Sequence, residues 1–378
     1  MRIPRFRPVL AALAAMSAAV LAPAADMFVL IGTSNSGPGI GISLGHFNTD
    51  TGALTAPQLD VAAVQPAFFA IPPDGRHLYT VNSGWPGAIS AYRIDPATAQ
   101  LTLINQQPSG GDEPAYISLD QTGRFVLVAN YNAGTIATFA LRPDGGIGAR
   151  TAFLQHTRRS VNPQRQTQAH PHSIIVDPTN RFVLVGDLGM DELFVYRFDA
   201  QTGALVPNDP AFAALPTGSG PRHVKFHPNG RWVYLINEKA GTVTAFHWDS
   251  ARGALAEFQT ISTLPANFSG ANASAELLVH PNGRFLYGSN RGASTNSIAV
   301  FAVDQETGRL SSLQSVPTQG STPRNFSFDP AGNWIVCANQ DSNNLVVFRV
   351  DSTTGLLTPT GQPVSAPFPF CVRFLPVP

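Results

Sequence analysis

Six stretches decide the fold: PPDGRHLYTVN (72–82), LDQTGRFVLVAN (119–130), VDPTNRFVLVGD (176–187), FHPNGRWVYLIN (226–237), VHPNGRFLYGSN (279–290) and FDPAGNWIVCAN (328–339). Each reads as a tight turn followed by a β-rich run. The residue before the basic or polar position is Gly75, Gly123, Asn180, Gly230, Gly283 or Gly332. Glycine and asparagine accept the positive φ that a tight hairpin needs. Each copy is therefore predicted to be a β-hairpin.

A second phrase alternates with the first. Asp199, Thr202, Gly203 and Leu205 recur as Asp304/Gly308/Leu310 and Asp351/Gly355/Leu357, with looser copies at Asn48/Gly52/Leu54, Asp95/Ala99/Leu101 and Asp249/Gly253/Leu255. A degraded copy surrounds Asp144. These seven outer hairpins lie roughly 46–58 residues apart, the period of a propeller blade with four short strands. No helical period of 3.6 residues interrupts them.

Seven outer hairpins face only six inner ones, and the two ends of the chain explain the difference. MFVLIGTSN (27–35) matches the second strand of a blade with no first strand before it, whereas FPFCVRFLPVP (368–378) matches a first strand and stops. The C-terminal strand is thus predicted to complete the first blade and close the ring, removing exposed sheet edges. The predicted class is all-β, a seven-bladed β-propeller forming one domain over residues 26–378.

Residues 1–25 carry different information. Arg2, Arg5 and Arg7 precede an apolar run from Val9 to Leu21, and Ala22-Pro23-Ala24 supplies a small-residue cleavage pattern. This reads as a signal peptide cut after Ala24 or Ala25, sending the mature protein to the periplasm or outside the cell. No later segment approaches the ~20 apolar residues of a membrane span. Formal net charge is zero, with 13% charged residues, 33 Gly and 32 Pro. That balance argues against a nucleic-acid partner, which requires a basic stripe. Cys337 and Cys371 are too few for a disulfide framework, although export would permit them to pair. The sequence leaves that pairing and the oligomeric state open.

Comparing repeats separates scaffold from function. Pro66, Pro114, Pro171, Pro221, Pro323 and Pro369 open the first strands, and Asn82, Asn130, Asp187, Asn237, Asn290 and Asn339 close the second strands. Residues repeated this way serve the blade. The next positions are singular: Ala67, Ala115, His172, Arg222, Arg324 and Phe370 follow the prolines, with Ala275 aligned in the blade that lacks one. Ser83, Tyr131, Leu188, Glu238, Arg291 and Gln340 follow the polar ring. Strand one starts and strand two ends on the same face, near the axis. His172, Arg222, His223, Glu238, Arg291 and Arg324 should therefore converge on one mouth of the channel. A structural ion pair between Arg222 and Glu238 is the competing explanation, but one pair does not account for the whole set. Ionisable clusters in a pocket are more often functional.

At these residues the chain resembles the seven-bladed propeller lactonases, the family of bacterial 6-phosphogluconolactonases and, more distantly, fungal carboxymuconate-cyclising enzymes. The resemblance is carried by QAHPHSIIVDPTNRFVLVGDLG (168–189), GSGPRHVKFHPNGRWVYLINE (218–238), NFSGANASAELLVHPNGRFLYGSNR (267–291) and STPRNFSFDPAGNWIVCANQ (321–340). It implies that His172, Arg222, Glu238 and Arg291 are catalytic. Glu238, the only carboxylate in the singular set, is assigned as general base. Arg222 and Arg291 bind the carbonyl and the developing oxyanion, and His172 positions water or serves the leaving ring oxygen. His223, Arg324, Tyr131, Asn132 and Gln340 are assigned to substrate binding.

The implied partner is a small-molecule sugar lactone. Export favours glucono-1,5-lactone over a phosphorylated lactone. No cofactor is expected, and no metal, because a calcium site needs several oxygen ligands and this set offers one Glu among arginines. The basic stretch HTRRSVNPQRQTQAH (156–170) is expected to be a solvated surface loop, the alternative being that Arg158, Arg159 and Arg165 hold an anionic substrate. Two other readings stand beside the lactonase: a muconate-type cycloisomerase using the same arginines, and a non-catalytic propeller that binds a ligand or protein.

Overall fold

The computed structural model describes residues 26–33, 40–162 and 164–376. The signal-peptide reading falls on residues outside these. The described residues form seven four-stranded antiparallel sheets, six built from consecutive strands. The first sheet takes Pro369–Pro376 as its innermost strand against Asp26–Thr33, with Met27 opposite Pro376 and Gly32 opposite Cys371. This is the predicted ring closure. No helix long and apolar enough to cross a membrane occurs among the described residues. Cys337 and Cys371 are both buried and free.

Both repeated phrases have a packing reason. In the inner hairpins Gly75, Gly123, Asn180, Gly230, Gly283 and Gly332 all have φ between 59° and 76°. The outer-turn glycines do more. Gly308, at φ 75°, lies so close to Trp232 of the preceding blade that a Cβ would meet the indole at 2.5 Å. Gly355 meets Phe285, Gly253 meets Phe182, Gly203 meets Phe125 and Gly52 meets Trp334 in the same way. The carbonyls of Gly308 and Gly355 also accept hydrogen bonds from Tyr234 and Tyr287, at 2.8 Å each. The outer phrase is thus a blade-to-blade contact as well as a turn.

The inner strands contain a feature that the repeats did not reveal. After the first proline of each strand the pairing register slips: Pro171 faces Asp187 but Ser173 faces Gly186, and Pro221 faces Asn237 but His223 faces Ile236. The same slip follows Pro66, Pro114 and Pro323. It recurs at Phe370 in the closing strand and at Ala275–Glu276 in the sixth blade. A β-bulge leaves its extra residue out of the ladder and re-aims the side chain. His172, Arg222, Arg324 and Phe370 are those extra residues. In four blades the residue before the proline is also a non-glycine at positive φ: Gln65, Glu113, Thr322 and Phe368. Such conformations are uncommon and persist where the surroundings enforce them. The ring of strand ends around one mouth is therefore built from bulges and tight bends.

The polar ring at the ends of the second strands is scaffold. Asn82 Nδ2 donates to Val64 O at 2.9 Å, Asn290 Nδ2 to Thr263 O at 2.8 Å and Asn339 Nδ2 to Thr318 O at 2.9 Å.

Closing the ring is what leaves no inner strand unpaired. A chain truncated before Pro369 exposes the edge of Asp26–Thr33 and is expected to lose its cooperative thermal transition and aggregate. Circular dichroism melting of the truncated and full chains checks this. A truncated chain melting like the full one contradicts it.

Candidate active site

The mouth ringed by bulges opens into a cavity of about 770 Å³. Every residue assigned to catalysis or substrate binding lines it: His172, Arg222, Glu238 and Arg291, with His223, Arg324, Tyr131, Asn132 and Gln340. The fold thus brings together side chains from four successive blades and the last one.

Glu238 is the centre. It follows the strand Trp232–Asn237, its amide donates to Gly220 O at 2.7 Å, and its carbonyl accepts Ser274 N from the next blade at 3.0 Å. Its Oε2 faces Arg222 Nε at 3.0 Å and Arg291 Nη2 at 3.0 Å. Its Oε1 faces Arg165 Nη2 at 2.9 Å. Burial opposes ionisation of this carboxyl, but Arg291, Arg222, Arg165 and Arg324 together outweigh it and hold its pKa down to about 2. Arg222 is pulled down to about 10, by burial and by repulsion from Arg291, and so stays protonated at neutral pH.

A second buried layer fixes Arg222 from below. Arg222 Nη1 donates to Ala275 O at 2.8 Å and lies 3.0 Å from His223 Nε2. His223 Nδ1 lies 2.9 Å from Glu276 Oε1. Burial, with Arg222 close by, pulls the His223 pKa down to about 3 despite Glu276. A neutral ring bonded on both sides takes one tautomer: Nδ1–H donates to Glu276 and Nε2 accepts from Arg222. Both nitrogens of His223 are engaged, so it orients Arg222 instead of binding a substrate hydroxyl. Glu276 also accepts from Asn325 Nδ2, and Lys225 Nζ lies 3.8 Å away.

Three other cavity-lining residues each carry an unpaired atom. His172 Nδ1, Arg324 Nε and Gln340 Oε1 are shielded from solvent and have no hydrogen-bond partner among the described residues. Buried polar atoms are normally paired, so each unpaired one calls for an explanation. Burial, reinforced by Arg222, His223 and Arg324, lowers the His172 pKa well below the usual range, leaving the ring neutral. Arg324 stacks on Phe370, 4.0 Å from the ring centroid. Tyr131 stacks on His170 with centroids 4.3 Å apart, and Asn132 Nδ2 donates to Glu113.

Two features go beyond the sequence expectations. Glu238 remains the only carboxylate of the singular set, but Glu113 also lines the cavity and Glu276 lies in the layer beneath. Glu113 precedes a strand-opening proline, outside the positions that the repeats compare, and Glu276 takes the place of His223 in the one blade that lacks that proline. The stretch 156–170 is not merely a solvated loop, since Gln164, Arg165, Thr167, Gln168 and His170 line the cavity. Arg158 pairs with Glu192 at 2.7 Å, and Arg159 is exposed. Basic residues flanked by polar ones carry no signal that tells a covering segment from a free one. Among the described residues no group of His, Cys, Asp or Glu converges in a way that could hold a metal ion.

A seven-bladed ring with an arginine-bound glutamate in a polar cavity defines a class, and comparison with known proteins agrees with it. Residues 28–374 match the family described as "Lactonase, 7-bladed beta-propeller". The chain is 34% identical to a 6-phosphogluconolactonase of Bacillus subtilis over 91% of this chain and 97% of that one. It is 36% identical to a 6-phosphogluconolactonase of Formosa agariphila over 85% and 91%. It superposes on a periplasmic gluconolactonase of Pseudomonas aeruginosa with a TM-score of 0.88 at 34% identity, covering 93% of this chain and all of that one. The chain belongs to the seven-bladed β-propeller lactonase family. Its activity is that of a lactone hydrolase, and the reading as a non-catalytic binding propeller gives way.

The depressed pKa values set the acid stability. The His223 value falls from 6.5 unfolded to about 3 folded, and the Glu238 value from 4.5 to about 2. In both cases the unfolded chain binds protons at a pH where the folded protein does not, so acidification favours unfolding. Stability should be greatest above pH 6.5, fall first between 6.5 and 3, and fall further between 4.5 and 2. Melting temperatures of the wild type and His223→Gln across this range check the assignment. The variant should lose the upper part of the fall, and an unchanged profile would contradict it.

Proposed function

We propose that the protein hydrolyses glucono-1,5-lactone to the aldonic acid in this cavity. The observation that carries the reading is Glu238 held between Arg222 and Arg291 in a cavity lined by polar side chains, among them His172, Arg324, Asn132 and Gln340. Such an arrangement suits a hydroxyl-rich ligand with its carbonyl near fixed cations. Arg222 and Arg291 would receive the oxygen that becomes negative, a contribution of typically 10²–10³ in rate for each donor. Glu238 would take the proton from the attacking water. The tetrahedral intermediate then breaks its bond to the ring oxygen, which receives a proton as it leaves. His172, held neutral, is suited to ordering that water or the ring oxygen.

A second reading, the 6-phosphate of the same lactone, is favoured by one observation. Four arginines line the cavity against two glutamates, with His172 and His223 neutral, a surplus of positive charge that a neutral lactone does not need. The leader-like residues 1–25 favour the unphosphorylated lactone and a periplasmic site, as does the periplasmic setting in the description of the Pseudomonas aeruginosa neighbour. A muconate-type cycloisomerase would draw on the same surplus.

Proton release from glucono-1,5-lactone and from its 6-phosphate, corrected for spontaneous opening, separates these readings. Glu238→Gln should reduce turnover about 10²–10⁴-fold and Arg291→Gln about 10²–10³-fold. Both variants retaining wild-type rates would remove the site from the reaction.

A further inference from the structure

The two oxygens of Glu238 are not equivalent. Oε2 is held by Arg222 and Arg291, which are 2% and 11% exposed. Both are anchored to backbone: Arg222 Nη1 to Ala275 O, and Arg291 Nε to Ala273 O at 3.1 Å. Neither can leave without opening the sheet ends. Oε1 has one ion-pair partner, Arg165, whose side chain is 44% exposed. Among the described residues the Arg165 side chain makes one other hydrogen bond, 3.3 Å to Tyr131 OH. A guanidinium on Oε1 takes one of its two lone-pair sites and lowers its basicity, so an attacking water meets a weakened base there. As found, the oxygen suited to base catalysis is partly covered, and the arginine covering it lacks the backbone anchors that hold Arg222 and Arg291.

The backbone beneath Arg165 is fixed. Ser160 N donates to Gly189 O at 2.7 Å, Asn162 N to Gln166 Oε1 at 3.0 Å and Gln166 Nε2 to Leu188 O at 2.9 Å. Gln166, the next residue along, is itself buried. Only the Arg165 side chain therefore has to turn. Its natural alternative partner is an anionic group on the ligand, because a guanidinium binds phosphate or carboxylate in a forked geometry at least as well as it binds Glu238.

Resting on the lactonase reading, we propose that Arg165 is a specificity-determining residue: it covers Glu238 Oε1 in the free protein and turns onto an anionic group carried by the lactone, uncovering the base. A phosphorylated lactone supplies that anion. A neutral lactone does not, and must displace Arg165 without compensation. Once Oε1 is free it takes the proton of the attacking water, and that proton leaves with the opened ring.

The groups facing Glu238 are Arg222, Arg291, Arg165 and Arg324, with Tyr131 beyond Arg165 and the neutral His172 and His223 alongside. Of the three arginines paired with Glu238, Arg222 and Arg291 are anchored to backbone, whereas among the described residues Arg165 is bonded only to Glu238 and Tyr131, with Glu113 nearby. Removing the Arg165 charge raises the Glu238 pKa, so the acid limb of the pH profile moves upward.

Arg165→Gln tests this with two substrates. The kcat/KM for glucono-1,5-lactone should rise or hold and its acid limb should move to higher pH, while kcat/KM for the 6-phosphate falls. The ratio of the two should drop roughly tenfold or more, the effect of one charge-assisted hydrogen bond. Arg165→Lys should restore part of the ratio, which a purely structural role would not. Equal losses on both substrates would overturn the proposal. Calorimetric binding of gluconate and 6-phosphogluconate keeps the test separate from catalysis. If the wild type hydrolyses neither lactone, the lactonase reading fails, but a preference for 6-phosphogluconate that Arg165→Gln abolishes still supports the role of Arg165. No preference, or one that survives the substitution, overturns it.

Discussion

Everything in this molecule depends on the pairing of Asp26–Thr33 with Pro369–Pro376, which joins the two ends of the chain in one sheet. A propeller blade contacts only its neighbours, so the ring holds together only if the last interface is made as well as the others. Closure also has a geometric consequence. Seven inner strands pointing at one axis leave little room where they begin, and each answers with a bulge in its opening residues. The bulge expels one side chain from each ladder toward the axis. The site is built from those expelled side chains and from the residues just beyond the second strands.

The chemistry follows from which residues occupy these positions. Three blades place Ala67, Ala115 or Phe370 at the bulge, and the sixth places Ala275 and Glu276 there. The other three place His172, Arg222 or Arg324 there. Burying cations without counter-charge is expensive, and removing one partner of a buried pair typically costs about 3–5 kcal/mol. Glu238 supplies that counter-charge to Arg222 and Arg291 at once. The same contacts that make it a firm clamp make it a weak base, and this tension governs how the site must operate. Beneath it, the neutral His223 between Glu276 and Arg222 turns a flexible guanidinium into an oriented one.

Much of this was legible in the residues. The glycines announced the hairpins because they, and asparagines such as Asn180, adopt positive φ most readily. The unmatched strands at the two ends announced the closure. Comparing blades isolated His172, Arg222, Glu238 and Arg291, since a side chain required by the fold recurs and these do not. What stayed hidden has a common physical cause. Repeats report a residue's place along its blade, not its depth along the channel. His223 therefore looked like a ligand-binding residue when both of its nitrogens are committed inside the protein. Glu276 aligns with His223 but was missed because its blade lacks the opening proline that marks the position, and a two-residue bulge stands there instead. Arg165 belongs to an insertion with no counterpart in the other blades, so no comparison could place it, and only the folded chain brings it onto Glu238.

The central claim is that the carbonyl carbon of the substrate reacts between the Arg222–Arg291 pair and Glu238. A crystal structure of the protein with gluconate bound tests this most directly. The product carboxylate should lie on the guanidinium groups of Arg222 and Arg291, beside Glu238, with the sugar hydroxyls among the lining residues His172, Asn132, Arg324 and Gln340. Gluconate seated elsewhere, with the Arg–Glu cluster untouched, would contradict it.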